Sequence, residues 1–358
     1  MKWKDIKISR KLIIVFLAIG IASITALGLI SYTQSKEALV HSAKNELIAI
    51  RDIKKNQIND FFKERIADIR VYSANTAVQM AANRFISAFD TSGLHSPAYQ
   101  KWENAHGSKL ETYVNEYDYY DLFFVSNQGD IAYSVAKEAD LGENLNSGRL
   151  ANSPIAKAFQ EGKNKYALTD FAWYDVSDEP AAFVSGPIKN TNGERIGVLV
   201  YQLSLNAINR IMQERHGMGE TGETYLVGPD KLMRSNSYLD PEGHSVEASF
   251  AGTVEENGVN TEAVREALAG KADVRIITDY NGNPVLSAYI PVKFGNVTWA
   301  MLAEIDEAEV MQPVNKLGTE ILVVAGIVAV VIIIVSIAFA RSISKPINKG
   351  VEFAQKMA

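Results

Sequence analysis

The chain has 358 residues, with 36 Lys+Arg against 42 Asp+Glu for a formal charge of −6, and it has no cysteine. Without cysteine there are no disulfides, Cys-bound zinc sites or thiol nucleophiles. The acidic balance argues against a nucleic-acid or polybasic-patch role, so no nucleic-acid partner is expected.

The first element is an uncharged apolar run from Leu12 to Ile30, and its counterpart is Ile321 to Ala340. Each is about 20 residues, enough to cross about 30 Å of hydrocarbon as a helix. Lys2, Lys4, Lys7, Arg10 and Lys11 precede the first run, and Arg341, Lys345, Lys349 and Lys356 follow the second. Basic flanks stay cytoplasmic, so both ends point inward and the middle faces out. The middle keeps 27 of the 36 Lys+Arg and 40 of the 42 Asp+Glu, a net charge of about −13. A cleaved signal peptide fits less well: the run is long for one, and Ser31-Tyr32-Thr33 offers no small-residue cleavage site. Ala18, Ala22 and Ala26 have the spacing that lets membrane helices approach closely, or are ordinary alanines of such a helix.

From Tyr32 to about Ala88 there is almost no Gly or Pro. Leu39, Ala43, Leu47, Ile50, Ile53, Phe61, Ile66 and Ile69 mark an amphipathic helix continuing from the first run. Its stripe packs on its own domain or also forms a dimer seam; the imperfect heptads leave both open.

Near Asp118 the pattern changes to strands and turns. Asp121–Ser126 and Ile131–Val135 flank a turn at Asn127–Asp130, and Ala181–Lys189 and Arg195–Leu203 flank Asn192-Gly193. A helix over Leu205–Arg215 closes this unit. The order then repeats: Glu223–Val227 with Leu232–Asn236, Val274–Tyr280 with Pro284–Val292, and a last strand over Val297–Ile305. The offset is close to 100 residues, which implies two copies of one antiparallel-sheet module. Asp306 then suits an N-cap, with Glu309 completing a capping box for a helix that enters the second run.

Gly217-Met-Gly219-Glu-Thr-Gly222 fits G-x-G-x-x-G, but a helix precedes it and a strand follows. That reverses the dinucleotide context, so the glycines are read as linker turns and no cofactor is expected. His41, His95, His106, His216 and His244 form no H-E-x-x-H motif or close pair. No catalytic or metal-binding pattern emerges, and an enzyme is not expected.

Several stretches together resemble the double-Cache sensor regions of bacterial methyl-accepting chemotaxis proteins. They are Gly217-Met-Gly-Glu-Thr-Gly-Glu-Thr-Tyr-Leu-Val-Gly228 with Leu232-Met-Arg-Ser-Asn236, then Thr169-Asp-Phe171, Pro180-Ala-Ala-Phe183 and Gly193-Glu-Arg-Ile-Gly-Val198. Arg341-Ser-Ile-Ser-Lys-Pro-Ile347 resembles the opening of a HAMP linker, with Pro346 starting its first helix. The implied fold is α+β, with two PAS-like Cache modules on a long N-terminal helix between two transmembrane helices. The expected divisions are a cytoplasmic N-terminus at 1–11, a first span at 12–31 and a long helix with its connection at 32–112. A membrane-distal module at 113–216, a membrane-proximal module at 217–306, a connecting helix at 307–319, a second span at 320–340 and a HAMP start at 341–358 follow.

The resemblance implies a two-pass inner-membrane receptor with a periplasmic sensor. It would bind an extracellular small molecule, work as a homodimer and signal through HAMP to cytoplasmic chemotaxis partners. The alternative output is a histidine kinase or nucleotide cyclase. The ligand is expected in the distal module, lined by Tyr120, Asp121, Phe123, Tyr133, Asp170, Phe171, Trp173, Tyr174, Asp175, Phe183 and Ser185. Acids among aromatics suit an amine or amino-acid-like molecule. Receptors of this family that bind amino acids carry an R-x-W-Y run, which Asn152–Lys157 lacks; Arg149 and Lys157 are the nearest basic residues. In the proximal module, Arg234 is expected to pair with Asp279, with Tyr289 nearby, in preference to a second binding site.

Overall fold

The computed structural model describes residue 6 and residues 8–357. Lys2, Lys4 and Lys7, on which the inward N-terminus partly rests, lie outside them. The chain forms two compact units, one of residues up to Asn45 with those from Glu307 onward, the other Glu46–Asp306.

The first unit holds the N-terminal part of helix α1 (Ile8–Ala74), and its partner is the last helix of the chain, Glu307–Met357. Each contains an uncharged stretch long and apolar enough to cross a membrane. Phe16 meets Phe339 edge-on at 6.0 Å between ring centroids. Gly20 faces Ile332 and Gly28 faces Ile321, and a methyl added at Gly20 would collide with Ile332. The close approach therefore uses Gly20 and Gly28. Ala18, Ala22 and Ala26, read as the small-residue stripe, are exposed on another face. Pro346, expected to open a new helix, instead sits inside the last one, since the residues before it are already helical.

In the second unit, α1 ends at Ala74. The Asn75 side chain accepts the Ala77 N–H at 2.9 Å and starts α2 (Thr76–Ser92), so the helix expected to reach Ala88 is two helices. Next comes α3 (Pro97–Glu116), then strands β1 (Tyr119–Ser126) and β2 (Ile131–Ser134), then α4 (Pro154–Gly162). Ser96 and Ser153 cap α3 and α4, each followed by proline at the first helical position, where its missing N–H costs little. Strands β3 (Ala167–Leu168), β4 (Ala172–Tyr174), β5 (Glu179–Ala181), β6 (Phe183–Lys189) and β7 (Arg195–Leu203) follow, then α5 (Leu205–Met212). The second module contains β8 (Glu223–Val227), α6 (Val246–Ala251), α7 (Val254–Asn257), α8 (Glu262–Leu268), β9 (Asp273–Thr278), β10 (Pro284–Phe294) and β11 (Val297–Asp306), after which the last helix is α9.

The sheets run β2-β1-β7-β6-β3 and β8-β11-β10-β9, with neighbouring strands antiparallel throughout and β4–β5 a separate flap. Stripped of β2, the two orders are the same, so the repeat read from hairpin order exists as topology. The second module has no counterpart of β2. Leu232–Asn236, expected as a strand, makes only one bridge, Val227 to Met233. Ser235 Oγ takes the Leu226 N–H at 3.0 Å, a donor that a longer ladder would give to a backbone carbonyl.

Alternation along the strands sends side chains to two faces. On one face Leu122, Phe124, Leu199 and Tyr201, with Leu226, Trp299 and Met301 of the second module, share one core with Ile58, Phe62 and Ile69 of α1, Phe85 of α2 and Leu110 of α3. On the other, Phe123, Val198 and Val200 pack on Ile155 and Phe159 of α4. Tyr225, Ala300 and Leu302 meet Ala263 and Val264 of α8 in the same manner. The buried stripe of α1 is Leu47, Arg51, Lys54, Ile58, Phe62 and Ile69, at the three- and four-residue spacing of one helical face. Ile53, read as part of the stripe, is 57% exposed, and two cations take its place. Arg51 Nη1 donates to the carbonyls of Tyr289 (3.3 Å) and Asp273 (3.4 Å), and Lys54 Nζ to that of Ile211 (2.5 Å). Burial lowers the Lys54 pKa, against the opposing charge of Glu214.

The repeat extends to side chains. In the first module Ser134 Oγ donates to Asp121 Oδ2 at 2.6 Å, and the N–H groups of Leu122, Val135 and Ala136 donate to Oδ1 at 2.6, 2.8 and 3.0 Å. Lys137 N–H then donates to Ser134 Oγ at 2.9 Å. In the second module Ser237 Oγ donates to Glu223 Oε2 at 2.7 Å, as do the N–H groups of Tyr238 (3.0 Å) and Leu239 (3.3 Å), and Asp240 N–H donates to Ser237 Oγ at 3.0 Å. Both modules thus use a buried carboxylate on the first strand to pin the segment beyond the turn that follows that strand. Asp121→Ala strands several buried donors and should cost about 3 kcal/mol of stability, and Ser134→Ala about 1 kcal/mol. Chemical denaturation checks both, and an unchanged Asp121→Ala midpoint would show that the pin carries no load.

Candidate ligand-binding site

Three central strands place one side chain each on the α4 face of the first module. Asp121 on β1 pairs with Gln202 on β7, and Gln202 pairs with Phe183 on β6. Phe123 lies beyond Asp121 on the same face, 6.5 Å from Phe183 between ring centroids. Ser185, two residues after Phe183, donates to the Ala158 carbonyl of α4 at 2.7 Å. The β4–β5 flap adds Tyr174, which meets Phe183 edge-on at 5.5 Å.

Acids crowd the rim of this face. Tyr174 OH donates to Asp140 Oδ2 at 2.6 Å, and Tyr120 OH donates to Glu138 Oε1 at 2.8 Å. Gln202 Nε2 donates to Ser177 Oγ in the flap turn at 3.2 Å. The partner oxygens Asp140 Oδ1, Gln202 Oε1 and Glu138 Oε2 are buried and accept no hydrogen bond. Burial pushes the Asp140 carboxyl above its ordinary range, with the Tyr174 hydrogen bond opposing and Glu138 adding to the rise. Burial also raises Glu179, and the charges of Glu138 and Glu247 add to it. Burial pushes Asp121 up to about 7, in spite of its donors. Such an arrangement favours a group bringing positive charge and N–H donors.

Of the eleven residues named from sequence, Tyr120, Asp121, Phe123, Tyr174, Phe183 and Ser185 are brought together here. The acceptors of Asp121 already serve the pin. Trp173 is half-buried on β4, and Asp175 is exposed in the flap turn. Tyr133 is on the opposite face, packed against Phe85 at 4.2 Å, because alternation along β2 turns it toward α2. Phe171 lies in the α1-side core beside Trp299, 6.1 Å away. Asp140, Glu138, Ser177 and Gln202 were missed. Gln202 carried a signal, being polar in the inward series Val198, Val200, Gln202.

Asp170 has a different task. Arg234 Nε and Nη2 donate to Asp170 Oδ1 and Oδ2 at 2.9 and 3.0 Å, and Trp299 Nε1 donates to Oδ1 at 2.9 Å. Arg234 Nη2 also donates to Asp230 at 2.8 Å. The expected Arg234–Asp279 pair does not form, since Asp279 Oδ1 accepts the Asn283 N–H at 2.7 Å in the β9–β10 turn. Gly228 makes room for this guanidinium, which a Cβ there would strike. Tyr289 donates to Glu266 at 2.5 Å. In the glycine-rich linker, Gly217 and Gly219 adopt positive φ, and Arg215 donates to the Gly222 and Glu220 carbonyls at 2.6 and 2.7 Å. Strand β8 follows directly, so the linker is a turn. Arg149 Nη2 donates to the Ala139 carbonyl at 3.1 Å, beside Asp140.

The sequence profile of the Cache domain family matches residues 32–314. A probable chemoreceptor of Sinorhizobium fredii (strain NBRC 101917 / NGR234) is 22% identical over 277 residues, 76% of this chain and 33% of that protein. The chain thus spans about a third of that relative's length. The ligand-binding domain of a Campylobacter jejuni chemoreceptor in complex with L-valine has a TM-score of 0.50 at 15% identity, covering 77% of this chain and 97% of that one. That of a Pseudomonas aeruginosa PAO1 amino acid chemoreceptor in complex with L-Arg has a TM-score of 0.48 at 15% identity, covering 75% and 97%.

Two outcomes follow from the geometry. Asp170→Asn removes a charge from the 1%-exposed Arg234 and should destabilise by about 3 kcal/mol, whereas the exposed Asp175→Asn should change stability by under about 0.5 kcal/mol; thermal melts of both variants test this. In the second module, burial pushes Glu304 from 4.5 up to about 7. Its folded form holds the proton more tightly than the unfolded chain, so its stabilising contribution is full below about pH 4.5 and is lost as pH rises through 7. Relative to Glu304→Gln, the parent chain should lose roughly 2–3 kcal/mol between pH 4.5 and 8. Parallel pH–stability curves for the two proteins would contradict this.

Proposed function

The chain belongs to the Cache domain family, and from that premise we propose that it is the sensor region of a two-span bacterial chemoreceptor. Its Cache modules read a small extracellular molecule, and the reading passes inward through α9 and a HAMP linker opening at residue 341 to a chemotaxis output. The two uncharged stretches support the spans, and their basic flanks support an outward-facing, periplasmic sensor. No step of bond chemistry is assigned to these residues.

The observation that carries the ligand proposal is the set of buried acceptors without donors, Asp140 Oδ1, Gln202 Oε1 and Glu138 Oε2, beneath the β4–β5 flap. An ammonium group would supply the missing donors, so the ligand class is an amine or an amino-acid-like molecule. The Campylobacter jejuni relative holds L-valine, which carries such a group. Arg149, which donates to the Ala139 carbonyl beside Asp140, is the cation for a carboxylate on the same ligand. The hydrogen bonds Tyr174–Asp140 and Gln202–Ser177 tie the flap to the rest of the module.

Transmission follows from connectivity. The flap begins just after Asp170, Asp170 is held by Arg234 and Trp299, and Trp299 lies on β11, which leads into α9. A ligand that binds one flap position better than another biases this path by its difference in affinity. A second copy would pair along α1, where Ile53 and Val71, 18 residues apart and so on one face, are exposed.

Titration calorimetry of the detergent-solubilised chain against primary amines and amino acids tests the proposal. A member of one of these classes should bind, and Asp140→Asn should weaken it at least about tenfold, the loss of one charge-assisted hydrogen bond. Equal affinity in the variant, or no binding by either class, would remove the site.

A further inference from the structure

A cavity lies outside the flap site, and its electrostatics are opposite. It is a cleft of about 810 Å³ walled by α1, by α4 with the segment leading into β3, and by the β10–β11 hairpin. Lys63 and Arg70 line it from α1, Lys157 from α4, Lys165 from the approach to β3, and Lys293 from the hairpin. Among the described residues none of these five cations is in an ion pair; Arg70 lies over the Tyr166 ring, 5.3 Å from its centroid. The acids of the lining are Glu161 and Asp170, and Asp170 is already neutralised by Arg234.

Five cations facing one uncommitted carboxylate are unexpected on a segment whose net charge is about −13. Like charges lining a concave surface focus the potential within it and draw in counter-ions of opposite sign. The floor is apolar, with Phe62 stacked on Phe294 at 4.1 Å between centroids and Ile66, Leu168 and Val297 beside them. A few charged groups around an apolar floor, at this volume, are the composition of a small-molecule site. The cations supply multiple positive charges, and the floor suits a hydrocarbon body in contact with it.

We propose that this cleft binds a small organic polyanion, a di- or tricarboxylate, as a second ligand independent of the amine site. Its walls come from both modules and from α1. An occupant bridging Lys165 of the first module and Lys293 of the second would therefore favour one arrangement of the two, and the cleft also reaches Asp170, to which the flap is tied. The site would act as an input of opposite charge on the same transmission path.

The test uses the full detergent-solubilised chain, with citrate, succinate and inorganic phosphate as probes in titration calorimetry at low and high salt. Citrate or succinate should bind, more weakly at high salt, and Lys165→Gln/Lys293→Gln should reduce the affinity about tenfold or more. Both lysines are exposed, so the variant should retain the parent's melting temperature. Asp140→Asn should leave carboxylate binding unchanged, which separates this site from the flap site. Phosphate binding as tightly as citrate would overturn the organic part of the proposal. Binding of neither carboxylate, or equal binding by parent and double variant, would overturn it entirely.

Discussion

A guanidinium buried to 1% exposure has to be met by carboxylates, because an unpaired charge in that setting costs several kcal/mol. Arg234 is met by Asp170 from one module and Asp230 from its own, and Trp299 adds a donor to the same carboxylate. This one cluster ties together the start of the flap, the loop after β8 and the strand that leads into α9. Shifting the flap while the second module stays fixed would stretch a bidentate ion pair. The start of the flap is therefore stiffly tied to the second module.

The two modules solve one packing problem in one way. Each sheet turns one face to a shared core that includes α1, with α2 and α3 added over the first sheet, and the other face to a short helix of its own, α4 or α8. Each has a carboxylate pin at the same place on its first strand. The long helix carries cations within its buried stripe, and these are satisfied by backbone carbonyls at Tyr289, Asp273 and Ile211. Hydrogen bonds from helix to carbonyls are directional, so they fix the register of α1 against the modules where apolar contact alone would permit sliding.

Much of this was legible in the sequence because it is local. Uncharged runs, turn dipeptides and alternating strands are short-range patterns, and the duplicated order of hairpins pointed to two copies of one antiparallel-sheet module without giving the strand order. What was not legible depends on long-range choices. Arg234 could be seen to need an acid, but Asp279 in its own module was the nearer candidate, and Asp170 lies 64 residues upstream across a module boundary. Ile53 looked like a stripe residue because it is apolar, while Arg51 and Lys54 occupy that face through carbonyls that only the folded sheets bring near. Leu232–Asn236 has strand composition, yet the Ser235 side chain replaces a ladder bond. Alternation along a strand tells which residues share a face, as for Asp121 with Phe123 and Phe183 with Ser185, but not which of the two faces a given strand turns toward which helix, and so Tyr133 falls on the α2 side.

The duplicated pin separates the part of each module that must stay constant from the part that can change. Asp121 and Glu223 hold the backbone, while the neighbouring position on the last strand is Gln202 in one copy and Glu304 in the other, facing Asp121 and Glu223 respectively. An amide and a carboxyl of equal length occupy equivalent sites on an unchanged frame. A duplication that preserves the pins leaves the facing residues free to diverge, so two copies on one frame can differ in chemical preference.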